Sequence, residues 1–361
     1  MNNKLLFIGE FPPPYGGVTV KDSLLRDEIF SSCDAKTFDL YDFKRRPIAL
    51  PGLAIALARA VRGADRIALG IGSNSRQSTM LGIIAKLRGR EFLGNVTVFM
   101  MGRELADYLG ENPGQVWKYQ AARCIFAESR SLMADFEAVG CRNSRYLPNF
   151  RKGDRARAPR AVGDTVHFVY FAQVRPEKGI DTLAAAARTL NSEGLADKFD
   201  ITVYGTVVDG FQNEFERLLS DVPNMTYKGA FDAATGDVCA ELNMYDAAVS
   251  SSSWREGMSG SNIECKFAGA ANIVSDAGFN PECVGNGVDG LIVRPRNVCS
   301  LVEAMRSVIE DRGLLARLKR NSYEDRVKLR RRDMENGRYS MSFATDVFAQ
   351  DSYHFHGETR T

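Results

Sequence analysis

Short apolar runs alternate with longer helical patterns along the whole chain. Residues 4–8 (KLLFI) read as a buried strand, a Gly/Pro loop follows, and residues 18–30 carry an amphipathic spacing. The strand pattern recurs at 66–70, 96–101 and 124–127, with helical stretches at 75–87 and 129–139. Ser129 suits the N-cap of the latter, because its hydroxyl can accept a hydrogen bond from a first-turn N–H. The alternation pauses at residues 149–163, a segment with five basic residues and almost nothing apolar. It restarts with strands at 166–171, 199–204, 225–228, 247–250 and 272–275, and helices at 180–190, 233–243 and 261–267. Helical patterns dominate after Val298.

Strands that are apolar throughout, separated by helices, predict parallel sheets covered on both faces. The chain therefore reads as α/β, with two doubly wound domains at 1–150 and 165–335 and a linker at 151–164. Residues 336–361 read as a C-terminal helix and tail that return to the first domain. Doubly wound sheets bind ligands at the carboxyl ends of their strands. Two such sheets facing a central cleft give two substrates a place to meet.

Composition narrows the function classes. The 361 residues are 44% hydrophobic and 25% charged, ordinary globular usage that excludes a disordered or low-complexity chain. Lys plus Arg number 47 against 45 acidic residues, so no overall charge points to nucleic acid. Seven cysteines without a Cys-x-x-Cys pair, and three histidines, argue against a zinc site and for reduced thiols in the cytoplasm. The opening apolar run is too short for a signal peptide. The longest mostly apolar stretch, 47–58, is too short to span a bilayer.

Three motifs could carry chemistry. Pro12-Pro13-Pro14-Tyr15-Gly16-Gly17 follows the first strand; it is either a structural turn or a loop whose glycines let the backbone approach a ligand. Arg175-Pro176-Glu177-Lys178-Gly179 places a cation beside a helix start, an arrangement suited to a diphosphate or to a solvated turn. Glu256 lies in a Gly/Ser loop, and Glu264 in the first turn of a helix that Ser261 can cap. Two carboxylates so placed can accept hydrogen bonds from ribose and sugar hydroxyls.

In this order, together with Pro148-Asn149, Tyr204-Gly205, Tyr227-Lys228-Gly229 and Asn280-Pro281-Glu282, the motifs resemble those of retaining glycosyltransferases of the GT-B fold, in particular family four. The loop EGMSGSNIE is similar to that of members that build bacterial surface polysaccharides. The resemblance implies two Rossmann-like domains and transfer of a sugar from a nucleotide diphosphate, UDP- or GDP-linked, to a glycan or polyprenyl-linked acceptor. It implies that Glu264 binds the ribose, Glu256 the sugar hydroxyls and Lys178 the diphosphate. The backbone at Met258 and Ser259 would touch sugar and phosphate, Gly205 would lie at the donor, and Gly16 and Gly17 would face the diphosphate from the first domain. No cofactor and no metal are implied beyond the nucleotide sugar as co-substrate, and the chain has no Asp-x-Asp.

Two positions depart from the family pattern. The usual Gly-Arg before Pro-Glu-Lys-Gly reads Ala172-Gln173, which leaves Arg175 to supply the cation. The usual His-Gly of the first domain reads Met101-Gly102, which leaves the Met101 backbone or the side chains of Arg103 and Glu104 for that role. These departures keep open a scaffold without turnover, or another enzyme of the same fold such as an epimerase. A lipid-linked acceptor would bring this cytoplasmic protein to the inner face of the membrane as a peripheral enzyme. The basic and apolar residues 41–62 and the basic segment 151–160 fit an anionic membrane surface; they fit equally a solvated loop and an ordinary core helix.

Overall fold

The computed structural model describes residues 4–30, 35–102, 104–151, 156–232, 235–254 and 257–327. The strands are β1 (Leu5–Gly9), β2 (Ala35–Asp39), β3 (Arg66–Gly70), β4 (Val96–Phe99), β5 (Cys124–Ala127), β6 (Ser144–Tyr146), β7 (Val166–Phe171), β8 (Phe199–Tyr204), β9 (Met225–Tyr227), β10 (Ala247–Ser250), β11 (Ala271–Ser275) and β12 (Gly290–Val293). The longer helices are α1 (Gly17–Leu24), α2 (Leu50–Gly63), α3 (Asn74–Arg88), α4 (Arg130–Ala138), α5 (Ile180–Leu190), α6 (Gln212–Ser220), α7 (Gly260–Phe267), α8 (Val298–Glu310) and α9 (Arg312–Val327).

The strands form two six-stranded sheets, ordered β2-β1-β3-β4-β5-β6 and β12-β11-β10-β7-β8-β9. Each recorded pairing is parallel. The chain divides into two compact units between Asn149 and Phe150. β4 and β5 are buried along their full length, as strands covered on both faces must be. In the second unit α5 buries Ile180, Leu183, Ala184, Ala187 and Leu190, one stripe at helical spacing. That stripe belongs to one core with Phe168 and Ile201 of the sheet and Leu301 and Met305 of α8. Ser129 caps α4 by accepting from the Leu132 N–H at 2.9 Å. The described cysteines are free thiols, with Cys299 exposed and the others buried.

Several elements differ from the sequence pattern. The helix placed at 233–243 runs over Val238–Leu242, because Asp237 accepts from the N–H groups of Cys239 and Ala240 and starts it there. The first amphipathic stretch is α1 followed by one π-helical turn at Leu25–Ile29. The basic segment packs along the second unit: the Arg157 N–H donates to Phe267 O at 2.7 Å and its guanidinium pairs with Asp237 at 2.6 Å. The apolar stretch 47–58 is not an ordinary core helix, since α2 buries Leu57 and Val61 alone while Ile48, Leu50 and Ile55 are exposed. Among the described residues no helix is long and apolar enough to cross a membrane. The C-terminal helix and tail placed at 336–361 lie outside the described residues.

Candidate functional site

In the second sheet the chain runs from β7 outward through β8 and β9, then returns to β10 on the other side of β7. The carboxyl ends of β7 and β10 are thus the topological switch point, where the following loops diverge and leave a crevice. The loop after β7 ends in a tight turn, Pro176–Lys178, that leads into α5. It is laced to the loop after β10. Ser251 Oγ donates to Gly179 O at 2.8 Å, Ser252 Oγ to Glu177 O at 3.1 Å, and the Ser253 N–H to the same oxygen at 2.9 Å. Gly179 has φ 78°, and a Cβ there would overlap the Ser251 carbonyl, so the close approach of the two loops demands glycine. Lys178 is thereby fixed, half-buried, at the mouth of the switch point.

Gln173 is exposed on the same loop. Arg175 donates from Nε to Glu177 Oε2 at 2.8 Å, and its guanidinium carbon lies 5.7 Å from the centre of the Trp254 ring. Through that bond Glu177 raises the Arg175 pKa and Arg175 lowers that of Glu177. Gly205, after β8, has φ 146°, and a Cβ there would run into the Ala172 carbonyl. Its N–H donates to Gly229 O at 3.0 Å, and its carbonyl accepts from Tyr227 Oη at 2.8 Å. Phe171, Tyr204 and Phe231 form an aromatic group beside it, with ring centres 5.6 to 6.2 Å apart.

Met258 is buried and Ser259 is the extended N-cap of α7. The helix starts at Gly260, so Ser261 does not cap it and Glu264 lies in its second turn. Ser259 Oγ shares a hydrogen with Ser261 Oγ at 2.9 Å instead of capping a backbone N–H. Glu264 Oε1 accepts from Arg151 Nε at 2.7 Å, with both side chains largely buried. The Arg151 guanidinium lies over Gly260, where a Cβ would overlap it. Sequence reasoning placed Arg151 in a solvated linker; nothing in its local pattern marks a partner more than a hundred residues away. At the end of β11, Asn262 Nδ2 donates to Asn280 Oδ1 at 3.1 Å and Asn280 Nδ2 to Ser275 O at 3.0 Å, so the Asn-Pro-Glu motif braces α7. Glu256 lies outside the described residues. The site thus joins Lys178, Gly205, the start of α7 and Glu264 around the switch point, a set able to hold a diphosphate and a diol.

In the first unit the switch point lies between β1 and β3. Gly16 is the extended N-cap of α1 and Gly17 its first residue; both are exposed, and a Cβ on either would meet nothing in this unit. Met101 is half-buried and Glu104 exposed before the helix Leu105–Glu111, while Arg103 lies outside the described residues. Sequence reasoning missed the polar group beneath them. Buried Lys21 donates to Met100 O at 2.9 Å and to Glu128 Oε1 at 2.6 Å, which anchors the turn before Met101. Buried Asp22 accepts the Glu10 N–H at 2.7 Å, and its carboxyl packs where Cβ atoms of Gly9 and Gly70 would stand. Arg76 Nη1 lies 2.5 Å from Glu10 Oε1. The signal was available: Asp22 falls between Val18 and Leu25 on the inward stripe of α1.

Burial pushes the Asp22 carboxyl well above its usual range, opposed by the Glu10 N–H and reinforced by the Glu10 carboxylate. An acid with a raised folded pKa holds its proton more tightly folded than unfolded. Stability should therefore fall as pH rises from the ordinary carboxylate range toward the raised value. Asp22→Asn should flatten that slope, as read from urea midpoints between pH 5 and pH 8. An unchanged slope would mean that Asp22 does not titrate in this window.

Residues 154–325 match the family model described as glycosyl transferases group 1. No curated protein matches the chain by sequence. Among solved structures, HepE of Anabaena in complex with UDP-glucose is 15% identical with a TM-score of 0.71, over 97% of this chain and 99% of that one. A sucrose-phosphate synthase from Thermosynechococcus elongatus is 14% identical with a TM-score of 0.72, over 98% and 99%. A glycosyltransferase from Rickettsia africae is 12% identical with a TM-score of 0.67, over 99% and 100%. The chain therefore has the α/β fold of the GT-B glycosyltransferases, and residues 154–325 carry its match to glycosyl transferases group 1.

Proposed function

We propose that the protein is a retaining glycosyltransferase that moves a hexose from a nucleotide diphosphate to a glycan or lipid-linked sugar, in the synthesis of a cytoplasmically assembled surface polysaccharide. The observation that carries this reading is the meeting of Lys178, Gly205, the start of α7 and Glu264 at the β7/β10 switch point. HepE, with its UDP-glucose, supports a uridine nucleotide as the donor.

In this reading Glu264 holds the ribose, Lys178 and the N–H groups at the start of α7 hold the diphosphate, and Glu256 holds the sugar hydroxyls. The anomeric carbon leaves the diphosphate oxygen and bonds to the acceptor oxygen on the same face, the acceptor hydroxyl's proton passing to the departing diphosphate oxygen, and no side chain is assigned as a nucleophile. Lys178 and the helix start supply the positive charge for the leaving group, so the proposal assigns no metal. Of the two arginines near this site, Arg151 is held by Glu264 and lies over Gly260, while Arg175 is held by Glu177.

The test is a thermal-shift titration with UDP, GDP and ADP on the wild type and on Lys178→Ala. A nucleotide at 100 times its dissociation constant should stabilise the protein by about 2.7 kcal/mol. One nucleotide should stabilise the wild type, and the variant should be stabilised less at the same concentration. No shift with any of them, together with no transfer in the presence of acceptor extracts, would favour a scaffold that kept the fold and lost turnover.

A further inference from the structure

The segment between Phe43 and Arg62 combines cations with an exposed apolar run. It contains five cations and no acid, and a central run in which all ten residues from Pro47 to Ala56 are apolar. A run of that composition belongs in a core, yet most of it is in solvent. Ile48 is 99% exposed, Ile55 53% and Leu50 42%. α2 attaches to its unit through Leu57 and Val61, one turn apart on a single face. Ile55 and Arg59, also one turn apart, occupy the opposite face. Lys44 and Arg46 are exposed immediately before the apolar turn, and Arg59 is exposed after it. Arg45 is not part of this set, because it is bound to Asp39 and to the carbonyls of Phe11 and Pro13.

An exposed aliphatic turn with cations at both ends matches an anionic lipid surface better than it matches a protein. Protein interfaces take their energy from aromatic and arginine anchors set in pockets. The run here has aliphatic side chains separated by Pro, Gly and Ala, with no aromatic anchor. An interfacial helix, by contrast, places an apolar face among acyl chains and its cations at the headgroups. Exposed apolar patches bordered by charge mark such contacts.

We propose that the turn at Pro47–Ala49 and the outward face of α2 dock the protein on an anionic bilayer. Ile48 and Ile55 enter the acyl boundary, and Lys44, Arg46 and Arg59 lie among the lipid phosphates. This docking does not rest on the proposed transfer, and its test reads lipid binding in the absence of any nucleotide or acceptor.

The experiment is flotation of the full chain with vesicles of phosphatidylglycerol in phosphatidylcholine, against phosphatidylcholine alone. The wild type should partition at least tenfold more strongly onto the anionic vesicles, and high salt should remove most of that difference. Ile48→Ser with Ile55→Ser should reduce binding about tenfold at any salt. Lys44→Glu with Arg59→Glu should abolish the anionic preference. All four positions are exposed, so the melting temperature of each variant should stay within a few degrees of wild type, which separates lost docking from lost fold. Equal binding to both vesicle types would overturn the proposal. So would anionic binding that survives both double variants, because it would assign the contact to another surface. A dimer in solution that the Ile48→Ser, Ile55→Ser variant dissolves would identify a second copy as the occupant and would overturn it too.

Discussion

Lys266→Ala should lower the stability of the second unit by about 3–5 kcal/mol, the usual cost of breaking a buried ion pair by removing one partner. Lys266 is fully buried at the back of α7, and its ammonium reaches Asp289 at 2.5 Å and Asp325 at 2.9 Å. One side chain therefore ties α7 to the turn before β12 and to α9. Asp289 also holds that turn from within, accepting the Gly285 N–H at 2.6 Å. Removing the lysine leaves the buried Asp289 carboxylate without its counter-charge, which costs more than the attraction it loses. Replacing all three, with Lys266→Met, Asp289→Asn and Asp325→Asn, should recover most of the loss, since no bare charge then remains. Trp254 is the tryptophan of this unit and Trp117 that of the other. In a Trp117→Phe background, urea unfolding followed by fluorescence reads the second unit alone.

The pH dependence follows from the same contacts. Burial by itself would lower the Lys266 pKa, but the two carboxylates outweigh it and raise the value above the ordinary one. A base raised in the folded state adds stability that is complete below its unfolded pKa, about 10.4. That contribution is lost as pH rises through the folded value. The wild type should therefore lose stability above about pH 10 in excess of the triple variant. A wild type and triple variant that fall in parallel there would show that the lysine carries no such linkage.

The strands that sequence alone located, β1, β3, β4, β5, β7, β8, β9, β10 and β11, are short apolar runs flanked by polar turns. β2, β6 and β12 escaped because they are sheet-edge or short strands whose sequences, AKTFD, SRY and GLIV, carry too little apolar length to stand out. The glycines of the second site were legible for a physical reason. Gly179 and Gly205 occupy positive φ against neighbouring carbonyls, and such positions leave glycine in the sequence whatever surrounds them. The pairing of Arg151 with Glu264 was illegible, since it depends on how the chain returns and not on local pattern. Lys21, Asp22 and Lys266 were passed over because each lies in an amphipathic helix, where a charge is normally assigned to the solvent side. The apolar run at 47–58 was open between a membrane-facing surface and an ordinary core helix, and the fold exposes most of it.

Lys178→Ala should reduce kcat of sugar transfer by about 10²–10³, with a smaller change in donor KM, if the lysine acts mainly on charge that develops as the diphosphate departs. The Ser251, Ser252 and Ser253 contacts hold the backbone on either side of Lys178 at the β7/β10 switch point. Lys178→Arg should recover part of the loss, because it keeps the charge but replaces a compact ammonium with a planar fork. Glu264→Ala supplies the contrast. A residue that holds the ribose contributes about equally before and during transfer, so its loss should appear in donor KM more than in kcat. The two variants together separate charge stabilisation from donor binding. A Lys178→Ala enzyme with wild-type kcat would remove the lysine from the reaction. If kcat fell equally in both variants with KM unchanged, the loop after β7 and the start of α7 would have to act as one unit in the transition state, and the separate roles proposed for them would be wrong.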